Sequence, residues 1–410
     1  MACNLEEHRA EIAALLDPVL AALDHETLPV DAADLPGRVT AAGVSALLPI
    51  PAFTNSQMDG YAARSAELSS ASDEHPIALP LGFTAAAGDR QIELLTGTVS
   101  PVMTGAVIPA GADTVIPVEA TAEGAFGQLV RPGEGTPTGT ATFTTPSEPG
   151  RFIRPVGQDL QSGALVADAG ARLTPTLIGA LAASGLREVP VRRKLRVLVC
   201  TTGNELMGGD GESGRIPDSN SPMLAAALRG YGAQVDTLRL PDDAQALGHA
   251  LEAQARLVDL ILTVGGISAG AYEVVREALA PRGGSFHHVA LQPGGPQGFA
   301  QLDGTPVLCF PGNPVSALLS LELFLAPALR RQAALPEPVA EQFELAGEVH
   351  SPAGKHQVRR ALLDEGTVQV LDPGSHLVHD LARADALVHI PVGVEHLAAG
   401  TMIDVWRMNV

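Results

Sequence analysis

Lysine is almost missing from this 410-residue chain: Lys194 and Lys355 stand against 46 acidic residues. The formal charge of −20 leaves no broad basic face, which argues against a nucleic-acid partner, since neutralising phosphates requires clustered cations. A small anionic ligand stays compatible with that balance where a local pocket overrides the global field. Cysteine is scarce too. Cys3, Cys200 and Cys309 show no CxxC spacing, and Cys200 and Cys309 sit in apolar strand-like runs as small buried hydrophobes, so no disulfide is implied. No apolar run reaches the roughly 18 residues that a membrane span requires. The opening "MACNLEEHRAEI" is acidic where a secretory leader would be basic. These absences predict a cytoplasmic protein with no nucleic-acid or membrane partner.

What is present is a long, globular composition, 46% hydrophobic and 18% charged, with room for more than one core. Ile12, Leu15, Leu16, Val19, Leu20 and Leu23 form a helical stripe over residues 5–23, disturbed at Pro18. From about 27 to 190, short apolar runs alternate with Gly, Pro and Thr, the pattern of strands and turns. Thr174 caps a helix whose first position is Pro175. The stretch "TTPSEPGRFIRPVGQDLQSGALV" reads as a return through a linker, making the middle of this region an inserted domain.

From "KLRVLVCTTGNEL" onward, apolar strands alternate with helices: "SPMLAAALRGYG", "QVDTLRL", "DDAQALGHALEAQA", "VDLILTVGG", "AYEVVREALA", "PVLCF" and "NPVSALLSLELFLAPALRR". Strands that are apolar throughout, alternating with helices, predict a parallel α/β sheet buried on both faces. The expected organisation is α/β plus β. An N-terminal helix (1–26) packs on the α/β domain (189–334). A β-rich linker domain (27–50 and 150–188) carries a small inserted domain (51–149), and a β domain (335–410) closes the chain.

Chemistry in such sheets gathers at the carboxyl ends of strands. Three of these ends carry small residues: "VCTTGNEL", "TVGGISAG" and "FPGNPVSA". Glycines there let backbone N–H groups approach a ligand, and helix starts attract anions. Gly265 and Gly270 bracket four residues, yet Ala271 stands where a P-loop needs Lys, and GxGxxG is absent. Asn313 as cap and Pro314 at the first helical position also have a purely structural reading. Glu205, Asp242, Asp243 and Glu273 each follow a strand. One such carboxylate is a favourable helix-dipole partner, whereas several converging on one edge suit Mg²⁺ beside phosphate. Far upstream, Asp59 is the lone acid in "TNSQMDGYAAR", where Asp-Gly is a common turn signal.

Taken in order, "NSQMDGYA", "VMTGAVIPAGADTVIPVE", "RPVGQDLQSG", "TTGNEL", "PDSNSPML", "TVGGISAGAYEVV", "QPGGPQGF" and "FPGNPVSA" closely resemble the MoeA family of molybdopterin molybdenumtransferases, which includes the gephyrin E domain. The resemblance runs from the N-terminal helix to "GSHLVHDLARADALVHIP". It implies an elongated, four-domain homodimer that uses molybdate and Mg²⁺ to cleave adenylylated molybdopterin, releasing AMP and inserting molybdenum. It also implies the pathway's adenylyltransferase as a partner, because that enzyme shares the α/β fold. By motif, Asp59, Thr104, Glu205, Asp242 and Glu273 match catalytic positions, with Glu205, Asp242 and Glu273 as metal ligands. Asp159, Gly203, Gly265, Gly266, Ser268, Gln292, Pro311, Gly312, Asn313, Pro314 and Ser375 match substrate-binding positions. Asp59 then belongs to a cleft completed by the second subunit.

Gln292 and Gly295 stand where the family commonly has lysines, and Glu273 stands where aspartate is usual. Each missing lysine removes one charge-assisted contact, about 1.5–3 kcal/mol. Arg154, Lys355, Arg359 and Arg360 are candidates to replace the charge, the last three reading equally well as a solvated strand face. His356, His376 and His379 read as surface or core residues. The altered loop keeps two rivals open: a non-catalytic molybdopterin-binding or scaffold paralogue, and a molybdopterin adenylyltransferase.

Overall fold

The computed structural model describes residues 4–203, 205–206, 215–240, 242–268 and 273–408, so Cys3, Gly270 and Ala271 lie outside it. Its centre is a six-stranded sheet ordered 234–240, 196–202, 260–264, 305–310, 296–302, 285–288. The strands Arg196–Thr202, Gln234–Leu240, Leu260–Val264 and Thr305–Phe310 run parallel. Side chains alternate between two cores along each strand. Val197 and Val199 enter one apolar layer with Leu260, Leu262, Leu308 and Phe310. Leu198 and Cys200 enter the other with Ile261, Val307 and Cys309. Burial pushes the Cys200 and Cys309 thiols up to about 12, so both behave as small hydrophobes.

The parallel expectation holds for four strands and fails at one edge. Pro296–Leu302 pairs antiparallel with Thr305–Phe310, and Ser285–His288 adds antiparallel outside it. Asp303 and Gly304 make the hairpin turn, both at positive φ (49° and 88°), which is the Asp-Gly turn chemistry that matches sheet twist. The sheet is therefore mixed.

The N-terminal helix Leu5–Ala21 begins with a capping box between Asn4 and Glu7 and buries Leu5, Ile12 and Leu16 in the first core. It runs through Pro18, which lies in its last turn and disturbs nothing upstream. The expected last helix is three pieces: Pro314–Ser320, a π-helical turn Leu321–Leu325, and Ala326–Gln332. Pro327 has no N–H to bond back along the helix. The Leu323 carbonyl instead accepts from Arg9 Nε of the N-terminal helix at 3.0 Å.

Beyond the sheet, His25–Pro29 and Glu188–Arg192 pair beside the helix Pro175–Ala183, which Thr174 caps at Leu177 N. The region between carries a three-stranded sheet ordered 100–102, 60–63, 114–117 and a separate pair, Ile77–Pro80 with Thr140–Phe143. At the far end, strands 356–364, 367–370, 340–345, 402–407 and 386–390 pair in turn. The last also pairs with the first, closing a barrel. Among the described residues no helix is long and apolar enough to cross a membrane.

Candidate active site

The chain leaves strand 196–202, pairs 234–240 on one side of it, then crosses to 260–264 on the other. That reversal opens a crevice beyond the carboxyl ends of the strands. It is lined by residues of all four parallel strand ends and encloses about 860 Å³, a volume suited to a cofactor-sized ligand. After 196–202 come Gly203 and Glu205; after 234–240, Asp242; after 260–264, Gly265, Gly266, Ser268 and Glu273; after 305–310, Pro311, Gly312, Asn313 and Pro314. Gln292 and Ser375 complete the walls. All but three of the anticipated site residues thus share one cleft.

Local packing dictates the glycines. A Cβ on Gly203 would lie 2.5 Å from Glu205 Oε1, so the missing side chain lets the carboxylate fold back over the strand end. Gly203 also sits at φ 140°, where an L side chain is strained. A Cβ on Gly312 would approach the Gly265 Cα to 3.3 Å, so two of the loops can close on each other only as glycines. Under the rim, Asp218 accepts from Ser221 Oγ at 2.6 Å, Ser221 N at 3.0 Å and Thr201 Oγ1 at 3.0 Å. Burial alone would raise this carboxyl. Those bonds and the Arg239 charge outweigh burial and hold it below the usual range. The next helix starts at Asn220, whose Nδ2 donates to the Gly312 carbonyl at 2.7 Å.

The C-terminal barrel forms one wall. Leu291–Gln292 pairs in parallel with His356–Gln357, and Gln357 Nε2 donates to Gln292 Oε1 at 2.9 Å. The Gln292 Nε2 is the atom left to donate toward a ligand. Asn313 precedes the helix but makes no side-chain cap; its Nδ2 reaches Ser375 Oγ at 2.9 Å, while Val315 N donates to the Ser375 carbonyl. The structural reading of Asn313 as a cap therefore gives way to a link between the two domains.

The electrostatics are one-sided. Glu205, Asp242 and Glu273 line the cleft, and Lys355 is its lysine or arginine among the described residues. Lys355 Nζ makes no hydrogen bond or ion pair with any described residue. Arg359 and Arg360 are neither cleft cations nor a solvated face. Both are buried: Arg359 donates to the Leu371 carbonyl and Arg360 to the carbonyls of Leu377 and Asp372. Two histidines also line the cleft. His376 had read as surface or core. His288 went unremarked in the sequence, and its ring lies over Gly295, 2.5 Å from where a Cβ would be. The His-His pair ending an edge strand just before the glycine loop was the available signal.

The carboxylates suit Mg²⁺ as a donor set, all hard oxygens. They do not gather their ligand atoms within 4.8 Å of one another as a three-membered group. That spread fits an ion held by one or two carboxylates with the remaining oxygens coming from substrate.

Asp59, Thr104 and Asp159 do not line this cleft. Asp159 is exposed on the return segment, as is Arg154. Asp59 projects from the inserted lobe, where Oδ1 accepts from Thr104 N at 2.6 Å and from Thr104 Oγ1 at 2.7 Å. The backbone bond, then the hydroxyl bond, hold its pKa below the ordinary value. Gly60 is no turn glycine: it opens strand Gly60–Ala63, and a Cβ there would strike the Ile116 carbonyl oxygen at 2.1 Å.

Residues 3–185 match the MoeA N-terminal region (domain I and II), 198–331 a probable molybdopterin binding domain, and 342–408 the MoeA C-terminal region (domain IV). Molybdopterin molybdenumtransferase 2 of Mycobacterium tuberculosis is 40% identical over 99% of this chain and 100% of its own length. The molybdopterin molybdenumtransferase of Synechococcus elongatus is 34% identical over 90% and 91%. The crystal structure of the molybdopterin biosynthesis MoeA protein from Pyrococcus horikoshii superposes with a TM-score of 0.81 at 26% identity, covering 99% of each chain. A switch-point cleft of carboxylates and glycines, walled on one side by a C-terminal barrel, is thus carried by a chain that belongs to the MoeA family of molybdopterin molybdenumtransferases.

Proposed function

We propose that this chain is a cytoplasmic molybdopterin molybdenumtransferase. In this reading the cleft binds adenylylated molybdopterin, takes molybdate as second substrate, and releases AMP as molybdenum enters the dithiolene. The observation that carries the reading is the convergence of Glu205, Asp242 and Glu273 with the glycine loops on one crevice. Backbone N–H groups at these loops and the start of helix 314–320 suit phosphate oxygens. Mg²⁺, when bound by one or two of the carboxylates, would neutralise charge on the cleaved phosphate. Lys355 and the Gln292 amide would orient the anionic ligand, and Ser375 with Asn313 would hold the barrel against it.

Asp59 has no such neighbours in its own chain, and its Thr104 bonds keep it ionised and facing outward. We assign it to the cleft of a second copy, in a homodimer whose two sites each draw on both chains; the pathway's adenylyltransferase is the partner that would deliver the nucleotide-bearing pterin. Purified protein given adenylylated molybdopterin, molybdate and Mg²⁺ should release AMP. Tight pterin binding without AMP release would make the chain a binding paralogue instead. Whole-length likeness to named molybdenumtransferases favours turnover despite Gln292 and Gly295.

A further inference from the structure

Away from the cleft, the N-terminal helix meets the antiparallel edge of the sheet at three side chains from distant parts of the chain. His8 and Glu11 are one helical turn apart and so share a face. His287 comes from strand 285–288. His287 Nε2 lies 2.9 Å from His8 Nδ1, and Glu11 Oε2 lies 3.5 Å from each of those nitrogens. Glu11 accepts a hydrogen bond from neither ring. A carboxylate oxygen centred on two nitrogens that already share one proton is poorly explained by hydrogen bonding alone.

We propose that His8, Glu11 and His287 form a site for a divalent transition-metal ion of the zinc class, clipping the N-terminal helix to the sheet. A triangle of those three distances has its centre about 1.9 Å from each corner, so an ion at the ~2.0–2.1 Å usual for zinc fits just out of its plane. Two imidazoles and one carboxylate are the donors such ions select over Mg²⁺ or Ca²⁺. The site is built rather than incidental. His8 is 1% exposed, its ring packed edge-on to Phe324 with centroids 4.6 Å apart and to His287 at 4.9 Å. Burial holds His8 down at about 4, so its ring is neutral and can ligate. Both rings stay neutral on binding; whichever ring holds the shared proton shifts it to its own non-ligating nitrogen. His287 and Glu11 are partly exposed, at 23% and 45%, which leaves an entry path and a fourth position for water. In the other trio of this kind among the described residues, Glu348, His350 and His396, the two rings also meet, with centroids 4.9 Å apart, but all three residues are exposed and none is buried as His8 is.

Because His8 and His287 lie 279 residues apart in the sequence, an ion bound only by the folded chain stabilises it. Full-length protein stripped with a chelator and titrated with Zn²⁺ should take up about one ion at this site and show a higher Tm, and Co²⁺ should give a four-coordinate visible spectrum. His287→Gln and Glu11→Gln alter partly exposed side chains and should fold, yet weaken uptake beyond the ~10–100-fold typical of outer-shell partners and abolish the Tm rise. His396→Gln should keep both. No uptake by the parent chain overturns the proposal. So does Zn²⁺ stabilisation that survives in His287→Gln and Glu11→Gln, or that disappears in His396→Gln.

Discussion

The α/β domain and the inserted lobe both carry acidic residues picked out by motif, but they hold them in opposite ways. In the α/β domain, Glu205, Asp242 and Glu273 follow three neighbouring strands and face one cleft. In the lobe, Asp59 stands on the surface, fixed by Thr104 and outside the lining of its own chain's crevice. A sheet gathers a site through strand order, because loops at one end are neighbours by construction. A β-rich lobe with short strands gathers no such cluster around Asp59, and under the proposed function its carboxylate would serve a surface elsewhere.

The strongest way to break this comparison is Asp59→Ala. It should lower AMP release about 10²–10³-fold, the cost typical of losing one preorganised electrostatic contact, while circular dichroism and oligomeric state stay unchanged. Equal loss of fold would make Asp59 a structural residue instead. Thr104→Val removes the hydroxyl bond and keeps the backbone bond, so a smaller loss, near tenfold, is expected. The sign of its pH effect follows from the depressed Asp59 pKa. Activity that depends on ionised Asp59 is lost as pH falls through its folded pKa, and Thr104→Val should move that acid limb upward.

On the cleft side, Gly203→Ala forces the Glu205 carboxylate off the strand end and should weaken Mg²⁺-dependent turnover more than pterin binding. Gly295→Lys tests the altered loop. Alone it sets a Cβ into the His288 ring and should not raise activity. Combined with His288→Ala it should raise activity above His288→Ala alone. A gain from the single substitution would show that the ring moves aside freely.

The smallest expected effect lies in the barrel. His389 lies beneath Trp406, their ring centroids 4.0 Å apart, with His356 and, from the N-terminal helix, Arg9 facing it. Burial, then His356 and Arg9, hold it down at about 3. Its folded pKa is below the unfolded value, so the native state binds fewer protons and loses stability as pH falls from about 6.5 toward 3. His389→Gln should flatten that part of the urea-unfolding profile.

Much of the cleft was legible because its determinants are local: apolar strands ending in Gly, Pro and acidic residues say where a parallel sheet presents a ligand. Strand 260–264 falls within the "VDLILTVGG" run for that reason. The antiparallel edge was readable only at Asp303-Gly304, since His287 and His288 look like any polar pair until the sheet places them. Barrel closure, the Asn313–Ser375 link and the burial of Arg359 and Arg360 depend on contacts between distant segments, which no spacing encodes. The break of the last helix at Leu321–Leu325 follows from Pro327 together with Arg9, more than 300 residues away.

The claim that two chains build each site is tested most directly by mixing two inactive variants, Asp59→Ala and Glu273→Ala, under conditions that exchange subunits. If Asp59 serves the other chain's cleft, a mixed two-fold dimer has one intact site, and an equal mixture should recover roughly a quarter of parental AMP release. If each chain completes its own site, the mixture will stay as inactive as its components.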